Sequence, residues 1–195
     1  MIDGSFNCTC CGECCRGDMH VFLNPDDLRL MACFFGYGNT KKLFEQSIVI
    51  IDNERNNAPL PRLRFSTGET GCCPFLENRL EETGDGHRLL GLCRLHPGAK
   101  PGVKPLVCWL APLHRTVDLA EGTETWGFKP PLPGCPGCDG IEGGLKAAAG
   151  APDFLTERLK AEKEFFRKLS TMLARGASQD EIIRTLYCFD TDCKK

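Results

Sequence analysis

The stretch Cys8-Thr9-Cys10-Cys11-Gly12-Glu13-Cys14-Cys15 places five cysteines within eight residues. Cys8, Cys11 and Cys14 recur at a spacing of three, and Cys15 follows directly. Each C-x-x-C turn curls the chain so that two thiolates can approach one metal ion. Gly12 suits such a turn, because only glycine freely takes a positive φ, which aims nearby backbone N–H groups at the sulfurs. Adjacent side chains such as Cys14 and Cys15 are expected to diverge. The spacing therefore predicts one centre using Cys8, Cys11 and Cys14, a second reached by Cys15, and further ligands elsewhere in the chain.

The chain has 195 residues, enough for one sizeable core with a helical appendage. Its net charge is −2 with histidines neutral, and its Lys and Arg residues are scattered, which points to no nucleic-acid or anionic-membrane partner. Met1-Ile2-Asp3-Gly4-Ser5 has no basic region and no apolar run, so the expectation is a cytoplasmic chain without a secretory signal or a membrane span. Fourteen cysteines in a reducing compartment favour metal ligation or redox chemistry. An even count also fits disulfide bridges.

Residues 1–150 hold 20 of the 21 glycines, 12 of the 13 prolines and 12 of the 14 cysteines, whereas residues 151–195 are nearly free of chain breakers. The expected fold is α+β: a small, loop-rich, metal-stabilised cysteine-cluster domain with short strands over 1–150, and a helical C-terminal extension packed on it over 151–195. A helix is expected from the cap Asn24 to about Phe35, stopped by Gly36. Cys33 on that helix reads as a small buried hydrophobe. Thr40–Gln46 reads as a second short helix. Ser47–Ile51 reads as a strand that Leu63–Ser66 can pair with, and the segment 53–61 as a polar loop. Thr83-Gly84-Asp85-Gly86 reads as a hairpin turn rather than a phosphate loop, with His87–Leu95 as the returning strand. A last hairpin is expected from Thr116–Leu119 and Thr125–Phe128. In the tail, Leu155, Leu159, Phe166, Leu169 and Leu173 fall at helical spacing, flanked by Phe165 and Met172. Ser178-Gln179-Asp180-Glu181 starts another helix, and Cys188 and Cys193 at its frayed end read as free thiols.

The ordered cysteine motifs resemble a known family. Phe6 to Arg16 resembles the CxxCxxCC signature of the YkgJ-type cysteine-cluster family, described as zinc- or iron-chelating. Cys73-Pro74-Phe75-Leu76 is similar to its C-P-F-L element, and Cys93 fits its next cysteine. Lys104-Pro105-Leu106-Val107-Cys108, with Pro112 behind it, is similar to its R-P-x-x-C-r-x-x-P element, with lysine in place of arginine. Cys135-Pro136-Gly137 is similar to a later C-P-G element. The resemblance covers roughly residues 6–140 and leaves Cys10, Cys72 and Cys138 outside the pattern.

The resemblance implies eight metal ligands: Cys8, Cys11, Cys14, Cys15, Cys73, Cys93, Cys108 and Cys135. Eight thiolates fill two four-ligand centres, either zinc or an iron–sulfur cluster, and spacing alone does not separate these. The ferredoxin-like triple Cys8, Cys11 and Cys14 inclines the expectation to iron–sulfur. His20 and His96 lie near cysteines, but a lone histidine is more often hydrogen-bonded than ligating. The expected function is metal binding for electron transfer, metal handling or maturation of a protein partner. The alternatives are a cluster-dependent enzyme related to flagellin lysine-N-methylases, whose catalytic residues the sequence does not mark, and a purely structural zinc protein.

Overall fold

The computed structural model describes residues 10–16, 19–53, 58–66, 71–84, 86–95, 103–111, 113–118, 121, 123–128 and 153–193. The expectations placed on Cys8, Cys135, Cys138 and His96 lie outside these residues. Helices and small antiparallel sheets are mixed, as the α+β expectation has it. No helix among the described residues is long and apolar enough to cross a membrane.

Helix α1 spans Pro25–Phe34. Its start is a reciprocal cap: Asp27 N donates to Asn24 Oδ1 at 2.9 Å, and Asn24 N donates to Asp27 Oδ2 at 3.0 Å. Its end is the turn at Gly36, where φ is 71° and Tyr37 N donates to Ala32 O at 2.8 Å. Helix α2, Lys41–Glu45, leads into the strands β1, Val49–Asp52, and β2, Leu60–Leu63. They pair antiparallel with Val49 opposite Leu63. Val21 to Leu23 runs along the far side of β2: Leu63 N donates to Val21 O at 3.0 Å and Leu23 N to Pro61 O at 2.9 Å.

The pairing partner of β1 thus lies earlier than the segment 63–66, and the expected loop 53–61 ends in strand. Sequence alternation missed it because Leu60-Pro61-Arg62-Leu63 has only one clear apolar step. What fixes its register is bonding on both edges, to β1 and to the 21–23 segment.

Two further hairpins follow. Strands β3, Leu76–Thr83, and β4, Gly86–Cys93, form an arm whose outer half is solvent-exposed on both faces. Helix α3, Leu106–Leu110, precedes β5, Leu113–Val117, and β6, Glu124–Phe128. Arg115 on β5 joins its hairpin to the tail, reaching Glu124 at 2.9 Å and Glu162 at 3.0 Å. Burial pushes the Glu162 carboxyl up against the pull of Arg115.

Helix α4, Asp153–Ala174, is followed by α5, Gln179–Ile182, which continues as a wider π turn over Ile183–Tyr187. One core joins the tail to the first elements: Leu28, Met31, Leu43, Val49 and Leu63 with Phe165, Leu169, Met172, Ile182 and Tyr187. Each such buried side chain contributes about 1.5–3 kcal/mol by leaving water. The face of α4 is rotated from the expected stripe. Phe165, Leu169 and Met172 are buried, while Leu173 is 38% exposed.

Two expectations about single cysteines are overturned. Cys33 is not a buried hydrophobe and Cys193 is not a free thiol: they form a disulfide, with Cα atoms 5.2 Å apart. The final segment is not frayed, because hydrogen bonds return it to the α1–α2 turn. Thr40 N donates to Phe189 O at 3.0 Å and Thr191 N to Gly38 O at 2.9 Å.

Candidate metal centre

The cysteine loop takes its shape from two backbone features. Gly12 sits at φ 79° and caps a single 3₁₀ turn, Glu13–Cys15, closed by Cys15 N donating to Gly12 O at 2.8 Å. A side chain is strained at that φ. The loop also rests on β4 with no side chain between. Gly91 N donates to Cys10 O at 2.6 Å, and a Cβ added to Gly12 would lie 2.9 Å from Gly91 Cα. Arg16 clasps the loop from the other side. It donates to Cys11 O and Glu13 Oε1 at 2.7 Å each, and to Asn78 Oδ1 on β3 at 2.9 Å.

The other expected ligand positions come from separate elements. Cys73 is tied directly to the loop, its N donating to Cys15 O at 2.7 Å. The Cys73-Pro74-Phe75 turn sits at the foot of the arm, with Leu76 N donating to Cys73 O at 3.1 Å and Arg94 N to Phe75 O at 2.8 Å. Cys93 ends β4 there, opposite Leu76. Cys108 lies on α3, whose first N–H, from Leu106, donates to Asp27 Oδ1 at 2.9 Å.

These backbones bring thiols together. The Cys14 and Cys15 sulfurs are 3.9 Å apart. The expectation that adjacent cysteines diverge is therefore corrected. In a 3₁₀ turn neighbouring residues are offset by about 120°, not the near-opposition of extended chain, so both side chains can reach one side. The hydrogen bond to Cys15 and burial push the Cys14 thiol well above its ordinary range. For Cys15 the Cys14 hydrogen bond pulls down, but the hydrogen bond to Cys73 and burial prevail and push it up to about 12. Burial also pushes Cys108 up; Lys104 opposes, and Cys15, Cys93 and Cys14 add to the rise. Cys15 thus interacts with Cys14, Cys73 and Cys93, and Cys108 with Cys14, Cys15 and Cys93. Cys11 shares the loop with its carbonyl held by Arg16.

Cys10 and Cys72 lie outside the expected set. Cys10 is exposed in a left-handed conformation at φ 54°. The Cys72 sulfur lies 3.6 Å from Ser66 Oγ, and its backbone bridges Arg16. His20 faces Asp52, with Nδ1 3.4 Å from Oδ2. Among the described residues, no three His, Cys, Asp or Glu side chains stand together in metal-holding geometry; the thiol contacts are pairwise.

These thiols are soft donors that can exchange their protons for zinc or iron.

Sequence inspection missed four supports. Gly91 had a signal: a lone glycine inside a strand marks a close backbone approach. Arg16 and Asn78 had none. Asp27 was read only as a helix-start carboxylate, yet it also binds Arg158 of α4 while accepting from Leu106. Burial pushes Asp27 up to about 6, with Arg158 opposing. Compared with family models, curated proteins and solved structures, the chain matches none.

Proposed function

We propose that this chain is a metal-binding protein that holds iron, as an iron–sulfur cluster, or zinc through its cysteine cluster. What supports it is one observation: four separate segments bring cysteines to one side of the core, with the Cys14 and Cys15 sulfurs 3.9 Å apart, Cys73 N bonded to Cys15 O, and Cys15, Cys93 and Cys108 packed against the same cluster that buries Cys73. The donor chemistry fits soft metals. Two thiolates on one tetrahedral zinc, each about 2.3 Å from it, stand about 3.8 Å apart; the Cys14 and Cys15 sulfurs stand at 3.9 Å. With Cys8, Cys11 and Cys135, these residues make up the ligand set that the resemblance to the YkgJ-type family implies. A bound iron–sulfur cluster would supply one-electron transfer, and a closed zinc site would supply fold stability. The chain's own part is to fix the loop on Gly91, to hold Cys73 against Cys15, and to set Lys104 beside Cys14 and Cys108. A cytoplasmic role in electron transfer, metal handling or partner maturation follows from this proposal.

Elemental analysis of anaerobically purified protein tests it. Bound iron with acid-labile sulfide and broad absorption near ~400 nm is the expected result. Colourless protein with stoichiometric zinc transfers the proposal to zinc. Folded protein that binds neither metal on reconstitution overturns it.

A further inference from the structure

We infer that the Cys33–Cys193 disulfide is a redox-exchange site for dithiol reductants, and that cutting it unlatches the C-terminal strap, residues 190–193, from the α1–α2 turn. The site is separate from the cysteine cluster and does not depend on the metal proposal. Cys33 and Cys193 are bonded to each other, whereas Cys14, Cys15, Cys73 and Cys108 carry thiols. One chain thus holds two redox populations. Both bonded cysteines keep partial solvent exposure, so a reductant can reach them.

The strap is graded from anchored to removable. The segment leading into it is buried: Thr40 Oγ1 donates to Tyr187 O at 2.7 Å and accepts from Phe189 N at 3.0 Å, and both Thr40 and Tyr187 are fully buried. Its outer end is held at the surface. Asn39 Nδ2 donates to Asp190 Oδ1 at 2.7 Å, Thr191 N to Gly38 O at 2.9 Å, and Thr191 Oγ1 to Tyr37 O at 2.7 Å. These outer bonds compete with water, so each adds little by itself. The disulfide supplies the closure that keeps them together across 160 residues of chain.

The reduced form also has partners in place. The Cys193 sulfur lies 3.2 Å from Thr191 Oγ1 and 3.7 Å from Tyr37 O, where a thiol can donate. A freed Cys193 thiol therefore has acceptors within reach. The step balances as thiol–disulfide exchange. A thiolate of the reductant attacks one sulfur, forming a mixed disulfide and releasing the other cysteine as thiolate, which takes a proton. The second thiol of the reductant then displaces the bound cysteine. The protein gains two thiols, and the reductant leaves as its cyclic disulfide.

The experiment uses the whole 195-residue chain with dithiothreitol as the probe, read by differential alkylation with mass spectrometry and by hydrogen exchange. Before reduction, Cys33 and Cys193 should resist alkylation; afterwards both should be labelled. The Thr191 amide should then exchange at least ~10-fold faster, while the Thr40 amide, bonded to Phe189 O, holds its protection. The double variant C33S/C193S should show fast Thr191 exchange without reductant and no further response to it. That insensitivity separates the strap from any effect of dithiothreitol on the cysteine cluster. Alkylation of both residues before reduction overturns the proposal. So does reduction that leaves Thr191 exchange unchanged, or that exposes Thr40 equally.

Discussion

Gly12 and Gly91 meet backbone to backbone, so the cysteine loop lies on β4 with no room for a methyl group at either position. A Cβ on Gly91 would overlap the Gly12 Cα and N atoms. Gly91→Ala should lift the loop and separate Cys14 and Cys15 from Cys93. We expect a cost of about 1–3 kcal/mol from overpacking against backbone, with reduced metal content. Gly84→Ala meets nothing within 4 Å and serves as the control. Equal metal content and unfolding midpoints in the two variants would show that this approach is not what shapes the loop.

On the proposed metal-binding reading, removing the metal should loosen only part of the chain. Val21, Leu28, Val49, Leu63, Phe165, Leu169 and Tyr187 share one apolar core, which needs no ligand. The loop at 10–16 adds only Cys15 to the margin of this core, and the outer half of the arm is exposed. Hydrogen exchange after chelation should therefore rise at the Cys73 and Gly91 amides, which bond to loop carbonyls, and stay low at Leu63. Unchanged protection at Cys73 and Gly91 would mean that packing alone holds the loop.

Arg158 is 5% exposed and pairs with Asp27, which is 1% exposed. Arg158→Met should leave a buried carboxylate uncompensated, at a cost of about 3–5 kcal/mol near pH 8. The pH dependence has a definite sign. Asp27 is raised above its ordinary value even with Arg158 present, and losing the arginine raises it further. A raised carboxyl favours folding fully below its unfolded value and loses that contribution as pH rises through the folded value. The penalty of the variant should therefore shrink as pH falls toward 5. Urea midpoints at the two pH values measure this; a penalty that grows in acid would contradict the sign.

The face of α4 separates two leucines four residues apart. Leu169 is 4% exposed and packs in the core, whereas Leu173 is 38% exposed. Leu169→Ala should cost about 2–5 kcal/mol and Leu173→Ala below about 1 kcal/mol. Comparable costs would place the buried stripe where the apolar spacing alone puts it.

Local chemistry was legible where it acts within a few residues. The Asn24 cap with Pro25 and Gly36 bounded α1, and the turn at 83–86 bounded the arm, because caps and tight turns depend on nearby backbone conformation. The rotation of α4 was less legible. Leu173 matches the period as well as Leu169 does, and only the shared core that Leu169 joins decides which face turns inward.

The sequence by itself determined that soft sulfur donors dominate this chain, that glycines and prolines concentrate before residue 151, and that a long amphipathic helix follows. These are properties of composition and short-range spacing. Only the tertiary structure decided that Cys14 and Cys15 face one neighbourhood, that Gly91 seats their loop, and that Cys33 bonds Cys193 across 160 residues. The physical reason is that fourteen thiols are chemically alike along the chain. What distinguishes them is which segments the shared core and the Asp27–Arg158 pair bring together, and that is a property of packing between distant residues.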